Sequence, residues 1–398
     1  MTEQQELRKQ VLGAVLSDTA PLQQMFSILI PQVGGYIERY KAGDLSLEEL
    51  FFWQKSFARV FLSFVEALSY AINQTLLAQG ERLQVPLSRT KRKELARATL
   101  SLEKRLLLSL TYFPQLLGIQ FQFDASAEDR RALQVLIESR ERFTHPKGPS
   151  DLRPPGLLAA TMPAIEWFFR AWLLLVFLSL QSIGANVQEP SRDRRFMFTE
   201  DLLLQFTERL QAYERMHAAA SPIKRLEEII VGLKDDTSRA LALLSGPPAT
   251  PIEASFALRN VFLTIFSEIE GSVFALADWL HRYRPDYPCP TRELLTGTDE
   301  LVRGRIADTL ESFSREFGTN QRIKRTGPEW DSFALARRVR DQMTHPKRPS
   351  DWAPRPEDLG VAIAISTWWH VQVRDCLHID PEKAPPLALG DHDVTPCQ

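Results

Sequence analysis

The sequence predicts an all-α protein: two tandem, duplicated helical-bundle units packed as a pseudo-two-fold pair. Three observations predict it. Apolar residues recur at three- and four-residue spacing over long stretches, the period of a helix with one buried face. No stretch alternates cleanly enough to compete as a strand. An eleven-residue block also recurs at a spacing of 200: residues 144–154 read THPKGPSDLRP and residues 344–354 read THPKRPSDWAP, with eight identical positions.

The elements follow in order. Leu50–Leu77, Lys91–Leu117 and Asp129–Phe143 read as helices of the first unit, and Ala254–Leu280, Arg292–Phe317 and Trp330–Met343 as their counterparts. Likeness between the halves extends beyond the block. Val60-Phe61-Leu62-Ser63 aligns with Val261-Phe262-Leu263-Thr264, and Glu166-Trp167-Phe168-Phe169 with Thr367-Trp368-Trp369-His370. Turn chemistry separates the helices at Lys41-Ala42-Gly43-Asp44, Ser245-Gly246-Pro247-Pro248 and Arg284-Pro285-Asp286-Tyr287-Pro288. The expected division is a first unit over 1–188, a polar linker over 189–197, a second unit over 198–380 and a disordered tail over 381–398.

Composition narrows the function classes. The 398 residues exceed one ordinary core, which favours two domains. A net charge of −2 excludes a strongly basic coat, so any nucleic-acid contact has to be local. Cys289, Cys376 and Cys397 include no CxxC pair, which fits a reducing, cytoplasmic setting and supports neither a disulfide framework nor a zinc site. The start, MTEQQELRKQ, lacks the basic and apolar regions of a signal peptide. The apolar run from Ala171 to Ala185 is shorter than the ~20 residues of a span, so it is expected to be a buried bundle helix and no membrane partner is expected. No Gly-rich phosphate loop, GxSxG elbow or HExxH motif is present, and no metal or other cofactor is expected.

The repeated block carries the chemistry-bearing residues. Pro146 and Pro346 disfavour helical geometry at His145 and His345, so each histidine falls at a helix end. Arg140 and Arg340 precede those histidines by five positions. Residues at i and i+5 do not share a helix face, and they converge only if the chain turns at the histidine. A purely structural reading stands beside this one: a helix stop whose histidine caps the last carbonyls, with Lys147 and Lys347 complementing the dipole.

Arg340-Asp341-Gln342-Met343-Thr344-His345 resembles the Arg-(Asn/Asp/His)-x3-His signature of HEPN domains, small helical bundles with this motif near the end of a late helix. The first copy, Arg140-Glu141-Arg142-Phe143-Thr144-His145, departs from it by Glu at the second position. The resemblance implies metal-independent endoribonuclease activity, with two units pairing so that their motifs meet in one composite site. It also implies an acidic residue on a long preceding helix, for which Glu66 and Glu268 are the candidates.

The chemistry suits the residues. RNA supplies its own nucleophile, the 2′-hydroxyl; histidine can remove its proton or protonate the leaving 5′-oxygen. Arginine can hold the charge that develops on phosphorus oxygens. The expected roles are acid/base for His145 and His345, phosphate stabilisation for Arg140 and Arg340, and orientation by Glu141, Asp341, Thr144 and Thr344. Lys147 and Lys347 are the expected RNA contacts. The products would carry 2′,3′-cyclic phosphate and 5′-hydroxyl ends. By family analogy the role is a microbial toxin or antiviral defence effector, with RNA as substrate, a regulatory or antitoxin protein as partner, and a homodimer or larger complex as assembly. The rival reading is a non-catalytic helical scaffold that binds a partner protein or RNA.

Other features read more simply. The basic clusters at Lys91-Arg92-Lys93, Arg192 with Arg194-Arg195, and Arg322 with Lys324-Arg325 are expected to be solvated faces rather than RNA tracks. Trp167, Trp368 and Trp369 are expected in packing. His217, His281, His370, His378 and His392 form no ligand-spaced cluster.

Overall fold

The computed structural model describes residues 3–96, 101–121, 126–154, 156–182, 208, 221–245, 250–284, 286–288, 290, 299–344, 354–355 and 357–377. The expected linker and tail, with His345, Lys347, Arg192, Arg194, Arg195, His217, His378 and His392, lie outside the described residues. Among the described residues every regular element is helical. The helices are α1 (Glu3–Lys41), α2 (Leu47–Gln79), α3 (Arg89–Leu95), α4 (Leu102–Leu116), α5 (Ala127–Thr144), a 3-10 turn (Pro149–Leu152), α6 (Gly156–Ser182), α7 (Pro222–Ala242), α8 (Pro251–Tyr283), α9 (Asp299–Glu316), α10 (Pro328–Thr344) and α11 (Asp358–Leu377). The single helix expected over Lys91–Leu117 is instead α3 and α4, and α4 begins at a new cap, where Ser101 accepts from the Lys104 N–H.

Local chemistry sets the two long central helices. α2 opens on a capping box: the Ser46 hydroxyl accepts from the Glu49 N–H, and the Glu49 carboxylate accepts from the Ser46 N–H. α8 opens with Thr250 accepting from the Glu253 N–H, followed by Pro251, whose missing N–H costs nothing in the first turn. The turn after α1 passes through Gly43 at φ 82°, the left-handed geometry that suits glycine.

The chain divides into two compact units that are not continuous in sequence. The first comprises Met1–Arg140, Pro155–Thr207 and Gln342–Trp352. The second comprises Glu141–Pro154, Glu208–Asp341 and Ala353–Gln398. In the first unit α2 is the hub, packed against α1, α3, α4 and α6. Phe168 meets Phe61 and Phe64 edge-on, each at 5.6 Å, and Phe113 stacks on Trp172. In the second unit α8 is the hub, packed against α7, α9 and α11, while the 3-10 turn Pro149–Leu152 rests on α7.

α8 is buried continuously from Phe256 to Leu280. Three helices, Leu47–Gln79, Ala159–Ser182 and Pro251–Tyr283, are long and apolar enough to cross a membrane by length and composition. In the last of these, 94% of the most apolar window is buried inside the protein, so its apolar character is taken up by the core around it.

Candidate functional site

The site is built on α8 of the second unit. Arg340 lies one turn before the end of α10, and its guanidinium meets the carboxylates of Glu270 and of Asp341, the latter at 2.9 Å. The same guanidinium stands over the Phe266 ring, 5.3 Å from its centroid. Phe266 and Glu270 are four residues apart and therefore share one stripe of α8. Burial pushes the Arg340 pKa down, and the neighbouring Asp341 pushes it back up.

The first motif supplies the next part of the same stripe. α5 ends at Thr144, and the His145 N–H donates to the Glu141 carbonyl at 2.9 Å, closing the last turn where Pro146 stops the helix. The His145 ring lies 5.4 Å from the Phe274 ring. Phe274 follows Glu270 by four residues, one turn further along α8, so His145 and Arg340 meet residues of the same stripe of that helix. Both belong to the second unit.

Two glycines allow this approach. A Cβ at Gly271 would lie 2.9 Å from Leu233 Cδ1, 3.1 Å from the Thr144 carbonyl oxygen and 3.2 Å from Pro146 Cδ. A Cβ at Gly232 on α7 would lie 2.5 Å from Leu152 Cδ1 in the 3-10 turn. The bend itself is held by Asp151. Its Oδ2 accepts from the backbone N–H groups of Lys147 and Gly148 at 2.8 and 3.1 Å, and its Oδ1 accepts from Arg142 Nε at 2.8 Å.

The expected site residues are therefore distributed unevenly. His145, Thr144, Arg340 and Asp341 are gathered at α8, except that Thr144 and His145 arrive from the N-terminal half of the chain. Glu141 contributes its carbonyl to the His145 turn. Lys147 is exposed beyond its backbone bond to Asp151. Arg140 is half-buried and belongs to the first unit, and Thr344 is the half-buried last residue of α10. Of the expected acidic companions, Glu66 pairs with Arg105 of α4 at 3.7 Å in the first unit. Glu268 bonds His370 Nε2 of α11 at 2.7 Å, and the carboxylate that reaches Arg340 is Glu270.

Three residues escaped sequence reasoning. Asp151 carried a signal, since it is one of the eight identical positions in the repeated block. His370 also carried one, because it stands where the aligned first half has Phe169. Glu270 carried none beyond its distance of two residues from Glu268.

The remaining candidates fall into ordinary roles. Trp167 and Trp369 are buried, and Trp368 meets Trp330 edge-on at 6.0 Å. Lys91 pairs with Glu94, Arg92 pairs with Glu81, and Arg325 pairs with Asp308 and Glu311. His281 bonds the Tyr287 carbonyl. Among the described residues no group of three or more His, Cys, Asp and Glu side chains is placed to hold a metal ion. Compared with known protein families, curated proteins and solved structures, the chain matches none.

Proposed function

We propose that the chain is a metal-independent endoribonuclease of HEPN type, and that it is built from a duplicated unit. The observation that carries this reading is the sharing of one α8 stripe by His145 of the first motif and Arg340 of the second. An imidazole beside a guanidinium is the minimum set for attack by a 2′-hydroxyl: one group moves the proton, and the other holds the charge on the phosphate. RNA is the substrate, and the setting is the cytoplasm of a microbe, as a toxin or antiviral effector restrained by a partner protein.

The helix caps support the duplication. Ser46 and Glu49 of α2 stand in the same relation as Thr250 and Glu253 of α8, and both helices are 33 residues long.

A second reading has its own support. Glu270 and Asp341 already neutralise Arg340, which also suits a helical scaffold that keeps the arginine for structure. One experiment separates the two: incubation of the purified chain with tRNA and total RNA in EDTA, beside a His145→Ala/His345→Ala variant and Arg340→Ala. Cleavage to cyclic phosphate ends that is lost in the variants supports the nuclease. An intact, folded protein that binds RNA without cutting it supports the scaffold. Cleavage that survives in all variants removes these residues from the site.

A further inference from the structure

We infer that Arg142, oriented by Asp151, forms with Lys147 a phosphate subsite beside His145, which holds the RNA strand at a phosphate next to the bond being cleaved; the inference rests on the nuclease reading. A strand crossing the site carries a charge at every nucleotide, and the groups at α8 answer only the charge at the cleaved bond. The neighbouring phosphates need cations of their own.

The last turn of α5 supplies one. The His145 N–H donates to the Glu141 carbonyl, so the helical turn runs intact through His145. Arg142, three residues earlier, is therefore its neighbour on the helix surface. Phe143, 1% exposed, is committed to the core, while the Arg142 side chain beside it is 49% exposed.

A guanidinium in water swings freely, and Asp151 removes that freedom. Its Oδ1 accepts from Arg142 Nε at 2.8 Å, which fixes the plane of the guanidinium. The edge formed by Nη1 and Nη2 has no hydrogen-bond partner among the described residues. That edge is a planar fork able to take two phosphate oxygens at once. Asp151 Oδ2 accepts from the backbone N–H groups of Lys147 and Gly148. One carboxylate thus ties the helical arginine and the exposed Lys147 to a single bend, with His145 between them in sequence. The Lys147 ammonium likewise has no partner among the described residues.

The arginine belongs to the first block alone. Asp351 recurs in the second, but Gln342 stands at the place of Arg142. An amide can serve as a donor to the aspartate; a phosphate contact needs the charge.

The test uses the full chain and a short RNA that the wild type cleaves, beside the same RNA with one phosphate at a time near the cleaved bond replaced by a neutral methylphosphonate. Arg142→Gln retains a donor for Asp151 and loses the charge, and urea denaturation verifies its fold. The expected result is an about ten-fold rise in KM with kcat unchanged, because a flanking contact is as strong before the reaction as during it. For a strand made uncleavable by a 2′-deoxy nucleotide, the slope of log Kd against log salt is expected to lessen by about 0.7. One methylphosphonate position is expected to cost the wild type about ten-fold and to cost Arg142→Gln nothing further. A loss in kcat with KM and salt slope unchanged assigns Arg142 to the bend, and equal methylphosphonate penalties in wild type and variant show that no phosphate meets it. Either result overturns the inference while the nuclease reading stands. The absence of any flanking penalty in the wild type does so without recourse to a variant. A wild type that cleaves no RNA overturns both.

Discussion

The carboxylate of Glu270 closes on the guanidinium of Arg340, so a phosphate reaching that guanidinium has to compete with a resident anion. Both side chains are largely buried, at 11% and 16% exposure, which makes the pair costly to break from one side. Glu270→Ala removes a carboxylate partner from a buried arginine and is expected to cost ~3 kcal/mol in urea denaturation. Glu270→Gln keeps the shape and removes the charge; it is expected to tighten RNA binding several-fold in filter-binding assays. Unchanged RNA affinity would show that phosphate does not meet Arg340.

Gly271 sits where the chain segment bearing the first histidine crosses α8. Gly271→Ala is expected to push that segment off the helix, at a cost of about 1–3 kcal/mol. Hydrogen exchange at the His145 amide, which donates to Glu141, reads the displacement directly.

Asp151 ties the bend after His145 by two backbone bonds and one to Arg142. Asp151→Ala is expected to cost ~1–2 kcal/mol and to slow cleavage more than it lowers stability, because it loosens the histidine's setting. Equal effects on melting and on rate would assign Asp151 to folding alone.

Acid should act at the far end of α8. Arg284 bonds Asp286 and Glu316, and the Arg284 guanidinium holds the Asp286 carboxyl below its ordinary 3.8. A depressed carboxylate pKa gives stability that is present above the unfolded value and is lost as pH falls through the folded one. Hydrogen exchange at the Arg284 and Tyr287 amides, which donate to the Leu280 and Arg284 carbonyls, is therefore expected to stay protected at pH 6 and to lose protection below about pH 4, before the core melts.

The helices were legible because their apolar spacing is local, and the stop at His145 was legible because Pro146 writes it into the chain. The partner of Arg340 was not. Glu268 and Glu270 are two residues apart and point to nearly opposite sides of α8, so choosing between them requires knowing which side faces α10. The Glu268–His370 bond spans 102 residues, beyond any local pattern. Nor does local pattern disclose that Glu141–Pro154 groups with the second unit, since tertiary packing decides it.

That grouping bears on how the two halves are inherited. A substitution between 141 and 154 is written in the N-terminal half, yet its consequences fall on the C-terminal unit. Neither half is then free to drift alone: a lineage that lost or separated one would leave the other without a piece of its own core. A fragment beginning near residue 208 would start life already amputated.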